Sequence, residues 1–119
     1  MGFKELLNNA KLVCFVTSTK GGKPNAIFAE SWFFENKILL VDCHMEKTVK
    51  NLKENPQVAV SAQNGKEYYQ IKGTAEYLTE GKYFKKAKEI VAGTEYTAKG
   101  AVLVEIKEVW DLDKRKKIL

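Results

Sequence analysis

Short turn signals between strand-like runs are the feature of this sequence that most restricts its fold. The segments KGGKP (residues 20–24), ENK (35–37) and NGK (64–66) each lie between two runs of alternating or continuous apolar residues. Their glycine and asparagine residues tolerate the positive φ that tight hairpin turns require. Connections this short join antiparallel strands, because parallel neighbours need a long crossover. The sequence therefore predicts a series of antiparallel hairpins.

The spacing of apolar residues places six strands and three helices along the chain. Strands are predicted at residues 11–19, 25–35, 38–43, 57–63, 67–78 and 100–110, and helices over the first ten residues, near 46–54 and over 80–91. Gly73 predicts a bulge or a close backbone approach within the fifth strand. Alternation in the last strand predicts that four apolar residues share one face: Val102, Val104, Ile106 and Trp110. We therefore predict a mainly β fold, a six-stranded antiparallel barrel in one domain (residues 1–119) with peripheral helices, and leave the tail after Asp111 without a predicted conformation.

Composition narrows the class of protein. The longest apolar run is too short to span a membrane, and the first residues lack the features of a secretory signal. Cys14 and Cys43 lie in strand-like runs, so we expect buried thiols and a cytoplasmic location. Together with His44, the single histidine, they lack the fourth ligand of a metal site. The net charge of +5 comes almost entirely from lysine, and having Arg115 as the only arginine disfavours sequence-specific nucleic-acid recognition.

The second predicted strand is apolar on both faces. One face carries Asn25, Ile27, Ala29, Ser31 and Phe33, and the other carries Ala26, Phe28, Glu30, Trp32 and Phe34. An antiparallel strand ordinarily keeps one wet face, and leaving this one exposed would create a large apolar patch. Either a partner subunit, a flat ligand or both cover the second face, or the chain's own helices do.

The junction HMEKTVKN, residues 44–51, places polar and basic residues where a strand ends and a helix begins. The first turn of a helix leaves backbone N–H groups without internal partners and carries partial positive charge, both of which favour an anion. Lys47 adds a full charge and Thr48 a hydroxyl donor, so the three features converge on one phosphate. The alternative is that Thr48 or His44 caps the helix and Lys47 is an ordinary solvated lysine.

Three segments of the sequence resemble a known family. GKPN after the first strand, HMEKTVKNLKENPQVAVS after the third and YQIKGTAEYL beyond it are similar to the pyridoxamine 5′-phosphate oxidase-like family of FMN-binding split barrels, particularly its short single-domain members. The resemblance covers nearly the whole chain. It implies a split barrel, an FMN cofactor and a homodimer with two flavins at the subunit interface.

The resemblance also implies which residues contact the cofactor. Lys47 and Thr48 match the residues that bind the FMN phosphate in such proteins. The end of the third strand runs beside the flavin in the family, and it corresponds here to Asp42, Cys43, His44 and Met45. The residues along the isoalloxazine ring correspond to Ala29, Glu30 and Ser31. No catalytic residue is assigned, and roles stay open for Glu30, His44, Trp32, Tyr96 and Trp110.

The resemblance predicts a small FMN-dependent oxidoreductase or electron carrier whose substrate and redox partner are not identified. Members with pyridoxamine phosphate oxidase activity carry an arginine-rich C-terminal segment, whereas this sequence ends in VWDLDKRKKIL, so we do not expect that activity. Two other classes stay open. One is a small barrel that binds single-stranded nucleic acid through lysines and the rings of Tyr68, Tyr69 and Trp32. The other is a split barrel without cofactor that acts as an interaction dimer.

Overall fold

The computed structural model describes residues 2–8 and 10–119 and contains three helices and seven strands in that part of the chain. The helices are α1 (Phe3–Leu6), α2 (Glu46–Glu54) and α3 (Lys82–Val91). The strands are β1 (Lys11–Ser18), β2 (Pro24–Phe34), β3 (Lys37–Asp42), β4 (Gln57–Gln63), β5 (Tyr68–Leu78), β6 (Gly100–Asp111) and β7 (Lys116–Lys117). The first six strands match the predicted ones to within one residue at each end. β7 lies in the tail, where no element was predicted.

The six longer strands close on themselves as an antiparallel barrel. Hydrogen-bonded neighbours follow the order β3-β2-β1-β4-β5-β6, and β6 also pairs with β3, which completes the ring. β7 is a two-residue addition to β6. The predicted mainly β, six-stranded antiparallel barrel with peripheral helices is confirmed. Within the described residues, no helix is long and apolar enough to cross a membrane.

The barrel interior is filled by alternate residues of each strand, as the two-residue period of β structure requires. In β4, Val58, Val60 and Ala62 are buried, whereas Ser61 and Gln63 are exposed. The buried interior cluster contains residues from β1, β3, β4, β5 and β6 together with leucines of the α1 segment and α2, and partly buried residues of β2 pack against it. Its largest fully buried members are Phe15, Leu7, Ile38, Leu40, Ile71 and Val104.

α3 packs on the outside of the barrel and builds a second apolar cluster there. Ala87 of α3 is fully buried against Leu39 of β3 and Leu103 of β6. Trp32 of β2 packs against the same cluster, and the ring of Phe34 meets that of Tyr83 edge-on, with the two ring centroids 5.9 Å apart. The chain's own helix therefore covers one end of the outward face of β2.

The other end of that face is uncovered in the single chain. Ala26, Phe28 and Glu30 are exposed, and Phe28 keeps 77% of its surface accessible. We offered two explanations for the apolar residues on both faces of β2, namely cover by the chain's own helices and cover by a partner or ligand. Each applies to one half of the strand: α3 covers one half, and the other half stays free for a partner or a ligand.

The irregularity predicted at Gly73 is present as a bulge. Lys72 pairs with Glu108 and Gly73 pairs with Ile106, so Lys107 is the extra residue of β6. A Cβ atom on Gly73 would overlap the backbone of β6, which shows that the two strands also approach closely here.

This bulge overturns one prediction about the inward face of β6. Because Lys107 is inserted, the inward position passes to Val109, which is fully buried, while Trp110 is only partly buried. The prediction that Trp110 shares the face of Val104 is therefore wrong.

The first helix is shorter than predicted. It spans Phe3–Leu6, and the consecutive residues Leu6 and Leu7 are both buried against the barrel. Ala10 then adopts a left-handed φ of 62° before β1 begins, so helical geometry cannot continue. The predicted helix also included Met1 and Asn9, which lie outside the described residues.

Candidate functional site

Two adjoining clefts open beside β2 and the junction between β3 and α2. The first, which we call the junction cleft, has a volume of about 450 Å³. Its lining includes Ala29, Glu30, Cys43, His44, Met45 and Tyr96. The second, the lysine cleft, has a volume of about 510 Å³. Its lining includes Lys23, Asn25, Lys47, Lys50 and Asn51. Residues of β2 and of the junction line both clefts, so the two clefts are neighbours.

Six of the nine residues predicted to contact the cofactor line these clefts. Five of them lie together in the junction cleft, namely Ala29, Glu30, Cys43, His44 and Met45, and Lys47 lies in the lysine cleft. Asp42, Ser31 and Thr48 are buried behind these surfaces, with exposures of 4%, 0% and 2%. The structure thus separates cleft-lining residues from supporting residues, which the sequence did not distinguish.

Asp42 holds the junction together. Its Oδ1 accepts a hydrogen bond from the Met45 backbone N–H at 2.7 Å, and its Oδ2 accepts one from the Tyr77 hydroxyl. Its backbone carbonyl accepts the N–H of Lys99 at 2.7 Å. Burial, the hydrogen bond to Asp42 and the Asp42 charge all raise the pKa of the Tyr77 hydroxyl, so this group stays a donor at neutral pH.

The start of α2 has free donors. The first backbone bond of the helix runs from the Val49 N–H to the Met45 carbonyl at 2.8 Å. Among the described residues, no acceptor faces the N–H groups of Glu46, Lys47 and Thr48, and no side chain caps the helix. The alternative in which Thr48 or His44 caps α2 is therefore not observed. Lys47 and Glu46 are both exposed in this first turn and line the lysine cleft, and the helix dipole adds partial positive charge at this end of α2.

The buried hydroxyl of Thr48 is part of a polar layer beneath the lysine cleft. Its Oγ1 accepts a hydrogen bond from the Asn25 side chain at 3.3 Å. One helical turn further on, Asn51 donates to the hydroxyl of Thr17 at 3.1 Å. These bonds fix α2 against β1 and β2 and hold the helix start in place.

Ser31 does not face either cleft. Its hydroxyl lies 2.9 Å from the Leu7 carbonyl and 3.1 Å from the Lys11 carbonyl, so it ties β2 to the segment that enters β1. Ser31 belongs to the face of β2 that points into the barrel, and this position predicts its orientation. The family resemblance grouped Ser31 with Ala29 and Glu30, whereas alternation along the strand places Ser31 on the face of Ala29 and opposite that of Glu30.

Cys43 and His44 differ in their chemistry within the junction cleft. Burial and then the Asp42 charge raise the pKa of the Cys43 thiol, against the opposing effect of Lys99. The thiol is thus protonated at neutral pH. His44 is exposed and its ring meets that of Tyr96 edge-on, with the centroids 6.5 Å apart. Cys14 and Cys43 are free thiols but only partly buried, which corrects the expectation that both are buried.

Sequence reasoning missed three residues of this site. Lys50 follows Lys47 by one helical turn, a spacing that places both on one helix face and that could have revealed it. Lys23 reaches the lysine cleft from the turn between β1 and β2. Tyr77 lies 35 residues from Asp42 in sequence, and only the pairing of β3, β5 and β6 brings them together.

The arrangement suits a ligand with a flat, largely apolar part and an anionic end. Ala29, Met45 and Val91 give the junction cleft an apolar wall, and the start of α2 supplies free N–H donors next to a lysine. FMN has this form, so the residues fit it. Among the described residues, no three His, Cys, Asp or Glu side chains cluster closely enough to hold a metal ion.

Sequence comparison identifies the family of this chain. Residues 2–113 match the family described as pyridoxamine 5′-phosphate oxidase. The chain is also similar to an uncharacterized protein of Methanocaldococcus jannaschii, with 40% identity over 109 residues that cover 86% of this chain and 73% of that protein.

Solved structures share the fold at low sequence identity. HupZ of Group A Streptococcus superposes with a TM-score of 0.88 at 22% identity, covering 98% of this chain and 95% of that one. An FMN-binding protein from Syntrophomonas wolfei gives 0.75 at 18% identity, covering 89% and 80%. HutZ, the heme storage protein from Vibrio cholerae, gives 0.68 at 12% identity, covering 92% and 91%. Because the family match covers nearly the whole chain, this protein belongs to the pyridoxamine 5′-phosphate oxidase family of split-barrel proteins.

Proposed function

We propose that this protein is a small FMN-dependent oxidoreductase or electron carrier, with the flavin ring in the junction cleft and the phosphate at the start of α2. One observation carries the proposal. Met45 separates an apolar cleft from three N–H groups that lack acceptors among the described residues and lie beside Lys47. The FMN-binding protein from Syntrophomonas wolfei, which has the same fold, supports the choice of flavin.

The phosphate end of this site rests on charge and on fixed backbone. The amides of Glu46, Lys47 and Thr48 point out of the first turn of α2, and the Lys47 ammonium adds a full charge. Asn25 and Thr48 hold the helix start against β2, so little ordering is required when an anion binds. Lys23 and Lys50 also line the cleft, and with Lys47 they outnumber its two glutamates, Glu46 and Glu54, so the lining keeps an excess of one positive charge.

The ring end rests on shape and on nearby polar groups. A bound FMN would supply one- and two-electron transfer. Ala29 has no side chain beyond Cβ, so it lets a flat ring lie close to β2. Glu30 and His44 are exposed at this cleft, where they can stabilise or oppose charge and deliver a proton.

The uncovered half of β2 supports a homodimer as part of the same proposal. Phe28, Leu12, Tyr68 and Leu112 are exposed and line one shallow groove of about 270 Å³ on the barrel wall. Contiguous apolar surface of this kind marks interfaces. Phe28 also lines the junction cleft, so a second chain seated on the groove would reach the proposed flavin as well.

The type of substrate is narrowed by the position of the single arginine. Arg115 lies in the turn between β6 and β7 and lines neither cleft. Neither cleft therefore contains a guanidinium that could bind a second phosphate, which supports a substrate other than pyridoxamine phosphate. The nucleic-acid alternative is also weakened, because Tyr69 is buried and Trp32 packs under α3, which leaves Tyr68 as the exposed member of the proposed stacking set.

Heme is the second candidate ligand. HutZ shares the fold, and Cys43, His44 and Met45 are residue types that ligate heme iron and line the junction cleft. The raised pKa of the Cys43 thiol opposes thiolate ligation, which leaves His44 and Met45 as the ligands that heme would use.

Ligand titration distinguishes these candidates. Purified protein stripped of bound ligand is titrated with FMN, followed by flavin fluorescence, and separately with hemin, followed by its Soret absorption. We expect saturable FMN binding with one flavin per chain and no saturable hemin binding. Saturation by hemin without saturation by FMN would reverse the assignment, and saturation by neither would favour the interaction dimer without cofactor.

Lys47→Ala tests the phosphate end of the site. Loss of a charge-assisted hydrogen bond is expected to weaken FMN binding by about 1.5 to 3 kcal/mol, which is roughly ten- to a hundredfold in affinity. Lys85→Ala is the matched control, because Lys85 is an exposed lysine of α3 that lines neither cleft. Equal affinities for the two variants would remove Lys47 from the site.

A further inference from the structure

One buried residue, Asp42, contacts two segments that line the junction cleft, one through its carboxylate and the other through its backbone carbonyl. Asp42 bonds the Met45 N–H through Oδ1 and the Lys99 N–H through its backbone carbonyl, each at 2.7 Å. Met45 belongs to the junction wall, and Lys99 ends the segment that carries Tyr96 to the opposite side of the cleft. The Tyr77 hydroxyl occupies the remaining carboxylate oxygen. We call these contacts of Asp42 with Tyr77, Met45 and Lys99 the Asp42 network.

The segment between α3 and β6 is itself held in shape, so a displacement of Lys99 is passed on to Tyr96. The Thr94 hydroxyl donates to the Val91 carbonyl at 2.6 Å, and the Tyr96 N–H donates to the same hydroxyl oxygen at 3.1 Å. Lys99 then pairs with the end of β3 through Asp42. Fixed at both ends, the segment places the Tyr96 ring against His44.

The position of Tyr77 depends on a glycine. Gly100 is the register partner of Asp42 between β3 and β6, and a Cβ atom there would overlap the Tyr77 ring. The Lys53 ammonium lies 5.9 Å from the centroid of the same ring. The tyrosine therefore occupies a place that the backbone of β6 leaves open, and its hydroxyl reaches a carboxylate that is itself 4% exposed.

We propose that Asp42 and Tyr77 form a positioning pair that sets the spacing between the junction and the Tyr96 segment, and so the fit of a flat ligand in the junction cleft. The identity of that ligand rests on the proposed FMN function, whereas the positioning role does not. Without the Tyr77 hydroxyl, Asp42 Oδ2 loses its donor in a buried environment, and the carboxylate turns toward solvent or reorganises. The Met45 N–H then loses the acceptor that holds it, whereas Lys99 stays bonded to the Asp42 backbone carbonyl, so the junction moves relative to the Tyr96 segment.

Tyr77→Phe tests the proposal because it removes one hydroxyl and keeps the ring. We expect FMN affinity to fall by about tenfold, as for loss of roughly one charge-assisted hydrogen bond. We also expect the visible circular dichroism of bound FMN to change, since it reports the surroundings of the ring. Amide exchange measured by NMR is expected to accelerate at Met45 and to stay unchanged at Lys99, whose acceptor is a backbone carbonyl. Tyr83→Phe is the matched control, because Tyr83 donates to the carboxylate of Glu35 at 2.8 Å outside both clefts.

A purely structural role would lower thermal stability but leave the affinity, the flavin spectrum and the Met45 amide as in the control. Unchanged affinity and spectrum in Tyr77→Phe would overturn the proposal. If the wild-type protein binds no FMN, the proposed function fails, and the positioning role is decided by amide exchange alone: a rate at Met45 equal to that of the control overturns it. If Tyr77→Phe does not fold, Asp42→Asn replaces it. This variant keeps one oxygen acceptor, but one of the two hydrogen bonds of the side chain is weakened. We therefore expect FMN affinity to fall by about threefold. Unchanged FMN affinity in Asp42→Asn would overturn the proposal.

Discussion

Phe28 and Phe34 are the same residue type on the same outward face of β2, yet their surroundings are opposite. Phe34 has the Tyr83 ring edge-on and the Lys86 ammonium 5.3 Å from its ring centroid. Phe28 has no such cover, is 77% exposed and borders the junction cleft. Alternation along a strand thus decides which way a side chain points, but not whether it stabilises the fold or offers a binding surface. That difference comes from α3, which reaches one end of the strand and not the other.

The largest expected effect is a loss of stability when a side chain is removed from the half of β2 that α3 covers. Phe34→Ala should lower the free energy of unfolding by about 2 to 3 kcal/mol, below the full value for a buried aromatic because Phe34 is only partly buried. Phe28→Ala should change it by less than about 0.5 kcal/mol, as exposed substitutions do. Chemical denaturation at a concentration where both variants are monomeric measures the two values. Equal losses would show that the two halves do not differ in the single chain.

The second effect concerns the uncovered half. Phe28→Ser should weaken self-association by about 2 kcal/mol, roughly thirtyfold, if Phe28 is a central residue of the proposed dimer interface. Light scattering across a dilution series measures this. FMN affinity should fall in the same variant, because Phe28 lines both the groove and the junction cleft. A variant that stays as dimeric as the wild type would exclude this half of β2 from the interface.

Most of the barrel could be predicted from sequence because its determinants are local. Turn residues such as Asn36, with a left-handed φ of 62°, and alternating apolar residues fix the hairpins without knowledge of distant contacts. The bulge limits this reasoning: Gly73 signals an irregularity, but the extra residue lies on the partner strand at Lys107. The face of Trp110 therefore depended on a pairing that the sequence does not display.

The candidate site could be predicted only as a neighbourhood. Consecutive residues from Cys43 to Met45, for which the resemblance implies contact with a flavin, line one cleft. The orientation of the Ser31 and Thr48 hydroxyl groups was less predictable. Both form hydrogen bonds with groups inside the protein, and a sequence pattern does not show which way a short polar side chain points. The Tyr77 contact with Asp42 could not be predicted from local sequence, since it joins β5 to the end of β3.

A third prediction uses Glu30, on the uncovered half of β2. Its exposed carboxylate borders the cleft proposed for the flavin ring, where a negative charge opposes formation of the anionic reduced flavin. Glu30→Gln should raise the two-electron midpoint potential of bound FMN by roughly 20 mV. Photoreduction against a reference dye measures the potential, and Glu35→Gln, at the turn beyond the covered half, should leave it unchanged. No shift in Glu30→Gln would place the ring away from this residue.

The smallest expected effect returns to Phe34 and sharpens the contrast between the two halves. The Lys86 ammonium lies over the Phe34 ring, and a cation over an aromatic face near the surface contributes about 0.5 kcal/mol. Lys86→Ala should lower the free energy of unfolding by about that amount, whereas Lys85→Ala should not, because Lys85 lies over no ring in the described part of the chain. Both variants lose one positive charge from adjacent positions of α3, so long-range electrostatics cancel in the comparison. If the two variants still differ in free energy of unfolding in high salt, the effect belongs to the contact with Phe34. If that difference disappears when Phe34→Ala is also present, α3 stabilises this end of β2 through the ring itself.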